Sequence, residues 1–205
     1  ELNPSSIWHY FNEICQVPRP SKREEKIIKY LENFAASHQL EILKDLAGNL
    51  VIKKSGIVGL EQGNTVVLQS HMDMVCEKNE GVDHDFFKDP IVPIVENGWV
   101  RARNTTLGAD CGIGMAAVLA ILADNSLRHP PIEALFTVDE ETGLTGAKAL
   151  QSGMLKGKIL LNLDSEDEGV LFIGCAGGID SVGTFEYKTK TVPNHFVAFK
   201  ISVTG

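Results

Sequence analysis

Apolar positions recur at helical spacing near the start of the chain. Ile7, Phe11 and Ile14 follow the polar stretch from Asn3 to Ser6 and predict a first helix. Ser21-Lys22-Arg23-Glu24 has the form of a capping box, and Ile27, Ile28, Leu31, Phe34 and Ala35 behind it predict a second. The period then shortens. Glu41 to Asp45, a Gly48-Asn49 turn and Leu50-Val51-Ile52 read as two strands joined by a tight connection. Three later apolar runs each end in histidine or acid. Val66-Val67-Leu68-Gln69 leads into His71-Met72-Asp73, Leu135-Phe136-Thr137-Val138 into Asp139-Glu140-Glu141, and Ile159-Leu160-Leu161-Asn162-Leu163 into Asp164-Ser165-Glu166. Runs of this kind predict buried strands of a mostly parallel sheet. Gly112 to Ala123 is apolar nearly all round, as befits a helix buried between layers.

The remaining segments are less regular. Residues 76 to 98, with Pro90, Pro93 and many acids, read as a long irregular loop. Val170 to Ile173 reads as a strand that ends at Gly174-Cys175-Ala176-Gly177-Gly178. Val182 to Lys188 and Phe196 to Val203 alternate like half-exposed antiparallel strands. The expected organisation is an α/β unit over residues 1–178, with a mostly parallel sheet between helices. Residues 179–205 are expected to open a second domain that is not completed here. No internal repeat or low-complexity tract interrupts either part.

In a parallel sheet, ligands bind beyond the carboxyl ends of the strands. His71, Glu140, Glu141 and Asp164 stand at such ends. Asp110, in Leu107-Gly108-Ala109-Asp110-Cys111-Gly112, precedes the buried helix. Each has an ordinary use: a core histidine, an N-cap, a strand-end cap, a solvated acidic pair. Together they form a nitrogen-and-oxygen ligand set for two zinc-like ions. On this reading Asp73 reaches the second ring nitrogen of His71 and fixes its tautomer. Asp110 bridges two ions that share and activate one water. Glu141 is a ligand and Glu140 the general base. Ser70 and Cys111 are weaker candidates as nucleophiles, because no base other than His71 accompanies them. Asp83-His84-Asp85 follows no apolar strand and reads as a solvated loop.

Composition narrows the classes. The 205 residues with 43% hydrophobic content suffice for one sizeable core. A net charge of -8, with no basic run longer than Lys22-Arg23 or Lys53-Lys54, argues against a nucleic-acid partner. The longest apolar stretch, Met115 to Ala123, is too short to span a membrane, so no membrane partner is expected. Glu1-Leu2-Asn3-Pro4-Ser5 has no signal-peptide character, and the four cysteines lack C-x-x-C spacing. These features favour reduced thiols and a cytoplasmic location. Gly112-Ile113-Gly114 and Gly174 to Gly178 lack the partner residues of nucleotide-binding loops.

Four motifs, Ser70-His71-Met72-Asp73, Gly108-Ala109-Asp110, Asp139-Glu140-Glu141-Thr142-Gly143 and Leu163-Asp164, resemble in order and spacing the co-catalytic zinc peptidases that include aminoacylase, carboxypeptidase G and peptidases V and T. His84 to Ile91, Thr105 to Asp110, Asn162 to Glu166 and Gly174 to Asp180 are similar to one branch, the bacterial dipeptidases that cleave aminoacyl-histidine. The resemblance implies a zinc-exopeptidase-like fold and two divalent ions, zinc by default, with manganese or cobalt as alternatives. It implies metal ligands His71, Asp110, Glu141 and Asp164, with Asp73 orienting His71 and Glu140 as acid/base. It further implies a small peptide substrate, an unblocked dipeptide with histidine favoured on the carboxyl side. Residues from 179 would begin an inserted α+β lid domain through which the intact protein forms a homodimer. The family commonly has a cis peptide after the bridging aspartate, and Cys111 stands where Asp or Asn is usual. The second ion of the family takes a histidine from downstream of the lid, so the chain is expected to be part of a longer enzyme. A deacylase of the same family, or a non-catalytic metal-binding module, are the alternative readings.

Overall fold

A computed structural model describes residues 2–165, 167–175, 177–179 and 181–202. The chain divides into two units, Glu1–Glu168 and Gly169–Gly205. The first opens with helices α1 (Ser5–Cys15) and α2 (Glu25–Ser37), then strands β1 (Glu41–Lys44), β2 (Leu50–Lys54) and β3 (Val66–His71). A hairpin of β4 (Pro93–Glu96) and β5 (Trp99–Ala102) precedes helix α3 (Ala109–Ala123). Strand β6 (Ile132–Thr137), the short helix α4 (Thr145–Ala149) and strand β7 (Ile159–Asn162) complete it.

The main sheet is mixed, in the order β1-β2-β6-β3-β7. Strands β6, β3 and β7 are parallel, whereas β1 and β2 join antiparallel at one side. The fold is α/β. The three parallel strands all point their carboxyl ends the same way, which is what brings the strand-end acids together. Side chains alternate across the strands as a two-residue period requires. Leu50, Ile52, Leu68, Ala134 and Phe136 face a large core shared with Phe11 and Ile14 of α1, Ile27, Leu31 and Phe34 of α2, and Met115, Val118 and Leu119 of α3. Val51, Val67 and Leu135 face the other way and pack against Leu150, Met154 and Leu155. The nearly all-round apolar character of α3 follows from its place against both α1 and the sheet.

Two local expectations are corrected. The Ser21–Glu24 capping box does not form. Lys22 adopts a left-handed φ of 66°, α2 begins at Glu25, and the Ser21 hydroxyl donates to Asp73 Oδ2 at 2.8 Å. A long-range carboxylate outcompetes the local backbone for that hydroxyl. Residues 76 to 98 are not wholly irregular. Asn97 and Gly98, with φ of 52° and 80°, form the tight turn between β4 and β5. Asn-Gly supplies the two positive φ angles that such a hairpin turn needs, and Pro93 is tolerated because it starts a two-stranded ribbon.

In the second unit, no strand is assigned among the described residues of Val170–Ile173, Val182–Lys188 or Phe196–Val203. Alternation makes a strand only when another strand offers its backbone, and no ladder partner is present among the described residues. Glu166, Ala176, Asp180 and Val203 lie outside the described residues. Among the described residues no helix is long and apolar enough to cross a membrane.

Candidate metal centre

His71 is the last residue of β3 and is fully buried. Four carboxylates converge on its ring. Nδ1 lies 3.3 Å from Asp73 Oδ1. Nε2 lies 2.9 Å from Asp110 Oδ1, 3.6 Å from Asp164 Oδ1 and 3.9 Å from Glu140 Oε2. Glu141 also brings an oxygen near, since one ligand atom each of His71, Glu140 and Glu141 lie within 4.8 Å of one another. The six candidate residues therefore meet in one place, from the ends of β3 and β6, the start of α3 and the end of β7.

Asp73 anchors the arrangement. Its Oδ1 accepts from the Glu140 amide at 3.0 Å, and its Oδ2 from the Glu141 amide at 3.2 Å and from Ser21. Burial alone would raise its pKa, but the bonds from His71, the two amides and Ser21 outweigh burial and hold it at about 2. Burial would likewise lower the His71 pKa, yet hydrogen bonds to Asp164, Asp73 and Asp110 lift it to about 11. Burial and the hydrogen bond with Asp164 push Asp110 up. Asp164 is held down against its burial by bonds from His71 and Asp110. Burial first, then the surrounding carboxylates, raises Glu140 and Glu141 despite the opposing charge of His71.

So much negative charge at one imidazole requires a cation. Without a metal, the extra proton on His71 supplies it. The donor set of one imidazole and several carboxylates fits a divalent ion in its place. The Asp110 side chain is 49% exposed, which leaves an open side. A cavity of about 350 Å³ lies there, lined by Ala109, Ile113 and Leu163 beside the two aspartates. The peptide bond between Asp110 and Cys111 is cis. Cys111 offers its sulfur within 4.8 Å of ligand atoms of His71 and Asp164. Burial pushes that thiol up to about 12, and it donates weakly to the Leu163 carbonyl at 3.6 Å. Neither it nor the buried Ser70, whose hydroxyl has no hydrogen-bond partner among the described residues, is an activated nucleophile.

A family model for peptidase family M20/M25/M40 matches residues 67–192, well over half of the chain. The chain belongs to peptidase family M20/M25/M40. Within that family it is 45% identical to the cytosol non-specific dipeptidase of Escherichia coli, over all of this chain and 42% of that protein. The crystal structure of aminoacylhistidine dipeptidase from Vibrio alginolyticus is similar with a TM-score of 0.80 and 51% identity, over 82% of this chain and 34% of that one. A tripeptidase structure from Staphylococcus aureus is similar with a TM-score of 0.68 and 27% identity, over 81% and 44% of the two chains. The chain thus spans less than half the length of these M20/M25/M40 relatives.

Beneath the centre lie residues whose supporting role has no local sequence signature. Glu24 is buried and its Oε1 accepts from the Lys22 amide at 2.8 Å and the Asp139 amide at 3.0 Å. Asp139, at φ 49°, accepts from the hydroxyls of Thr142 and Thr145. Glu24, Asp73 and Asp139 lie close together, but protein donors already engage all three carboxylates, so they form a support for the Glu140–Glu141 turn. Glu24 was hidden by its fit to a capping box. Arg19 was hidden as a lone charge between Pro18 and Pro20.

Proposed function

We propose that the protein is a metal-dependent dipeptidase that hydrolyses unblocked dipeptides, Xaa-His among them, with two divalent ions, zinc by default. The observation that carries this reading is the convergence of four carboxylates on His71 beside an open cavity. In this reading His71, Asp110 and Asp164 would hold one ion, and Asp110 and Glu141 would hold the other. When bound, the ions supply Lewis acidity, polarising the scissile carbonyl and bringing the pKa of a water from about 15.7 to near 7. Asp73 keeps the His71 ring oriented through Nδ1, which bonds to the Asp73 carbonyl oxygen at 3.1 Å with the carboxylate 3.3 Å away, so that Nε2 faces the centre. Glu140 lies close to that centre with its proton affinity raised, first by burial. It accepts the proton of the attacking water and returns it to the leaving amine.

The preference for histidine is supported by the 51% identity to aminoacylhistidine dipeptidase. The name of the Escherichia coli relative, a non-specific dipeptidase of the cytosol, supports a broader substrate range and a cytoplasmic location. We further propose that residues from 179 onward begin a lid domain through which the intact protein dimerises, with no nucleic-acid or membrane partner.

Release of free amino acids from Xaa-His and Xaa-Ala dipeptides, and from N-acetylated amino acids, tests the activity. Dipeptide cleavage with little action on the blocked amides is expected. The reverse preference would favour the deacylase. Glu140→Gln is expected to retain metal and lose about 10²- to 10⁴-fold in kcat. Near-normal turnover in that variant would remove Glu140 from its role, and absence of turnover in the parent with metal bound would favour a non-catalytic module.

A further inference from the structure

Arg19 lies in the loop between α1 and α2 and is 2% exposed. Its guanidinium donates from Nη1 to the carbonyl oxygens of Met72 at 3.0 Å and Asp73 at 2.7 Å, and from Nη2 to the carbonyl of Gly108 at 2.5 Å. All these partners are backbone oxygens. A buried cation without a carboxylate in contact is costly, and burial lowers its pKa. An apolar side chain would fill the space without that cost.

The partners lie on two separate segments. Met72 and Asp73 directly follow His71, and Gly108 stands two residues before Asp110. His71 and Asp110 are 39 positions apart in sequence, yet their side chains lie 2.9 Å apart. The planar fork spans the gap between the segments that carry them. The local backbone is shaped to admit it. A Cβ on Gly108 would lie 2.6 Å from Arg19 Nη2, and one on Gly112 would lie 2.7 Å from it. Arg19 is itself held, because its carbonyl accepts from the Met74 amide at 3.2 Å and Pro20 forms a β-bridge with Met74.

We infer that Arg19 is a positioning residue, whose guanidinium ties the segment after His71 to the segment before Asp110 and so sets the spacing of those two side chains for a metal ion. This rests on the reading that His71 and Asp110 hold metal. A lysine would keep the charge but is a point donor on a flexible stem and cannot span both segments.

The test is a cobalt titration of the protein, followed by visible absorption, with circular dichroism on the same samples. Arg19→Lys and Arg19→Met are expected to stay folded at the titration temperature. Both should bind cobalt about 10- to 100-fold more weakly, with altered band shapes. Loss of packing alone would lower the melting temperature without moving the affinity or spectrum of the folded fraction. Gly112→Ala keeps the charge, has no positive φ to strain, and presses a methyl group on the guanidinium. It should weaken cobalt in the same direction, and it carries the test if the Arg19 variants do not fold. Parent-like affinity and spectrum in a folded variant would overturn the inference and leave the metal reading standing. A parent that binds no cobalt would remove both.

Discussion

At the residue scale, Asp73 joins two jobs in one carboxylate. It faces His71 Nδ1 and also caps the Glu140 and Glu141 amides. Its pKa of about 2 lies below the ordinary 3.8. A carboxylate so depressed adds stability that is present above the ordinary pKa and lost as the pH falls through the folded value. The metal-free protein should therefore lose stability between about pH 4 and pH 2, on the order of 2 kcal/mol from this group. Asp73→Asn should flatten that acid limb in urea titrations, and an unchanged limb would contradict the role. His71 shifts the other way, from 6.5 to about 11. Its contribution is full below the ordinary pKa and disappears as the pH rises through the folded one. Near neutral pH the metal-free protein keeps the His71 proton, and metal must displace it. Calorimetry in two buffers of different ionisation heat should register about one proton released for the ion that binds His71, with affinity rising with pH. Binding without proton release would count against His71 as a ligand.

Asp73, Glu140, Glu141 and Asp164 were legible because they follow apolar runs, and Asp110 because it precedes a nearly all-apolar helix. A continuous apolar run that stops at a carboxylate is visible without any structure. Arg19 and Glu24 were not legible, since their partners are backbone groups supplied by segments distant in sequence. Nothing in local period or spacing encodes such a contact.

At the scale of elements, the parallel trio β3, β6 and β7 sets the site, and Asn49 secures one end of it. Asn49 is fully buried immediately before β2. Its Nδ2 donates to Asp45 Oδ2 at 2.7 Å and to the Gly146 carbonyl at 2.8 Å, and its Oδ1 accepts from the Val138 amide at 3.1 Å. It thereby ties the end of β6 to α4, on either side of the Asp139–Glu141 turn. Gly146 is needed there, since a Cβ would meet the Val138 carbonyl oxygen. Asn49→Ala would leave the Val138 amide and the Gly146 carbonyl without that partner. It should cost about 2–4 kcal/mol in urea unfolding. A loss below about 1 kcal/mol would mean that water or a backbone shift replaces the side chain. The sequence marked Gly48-Asn49 as a turn and so gave Asn49 a purely local use. The β4–β5 hairpin was obscured for a different reason, because Pro93 and the acids around it masked the Asn97-Gly98 signal.

At the scale of the whole molecule, the α/β class and the sheet's parallel half were readable from apolar runs alone. The antiparallel β1 and β2 were readable as strands, but their place beside β6 is a tertiary outcome. The second unit shows the limit of pattern reading. Alternation in Val182–Lys188 describes a strand in waiting, and pairing decides whether it forms. The chain's charge of -8 is concentrated in part around His71, so a bound cation should stabilise the whole first unit through linkage. The candidate donors divide unequally. On the proposed reading, His71, Asp110 and Asp164 would serve one ion, and Asp110 and Glu141 the other. One tight and one weaker ion are expected.

The most direct test of the account is a zinc titration of the purified protein beside Asp110→Ala, with folding checked on both. Zinc is expected to raise the parent's melting temperature, binding tightly at the first ion and more weakly at the second, and to be lost from the folded variant. A well-folded parent that binds no zinc, or an Asp110→Ala variant that binds it as the parent does, would contradict the shared-carboxylate centre.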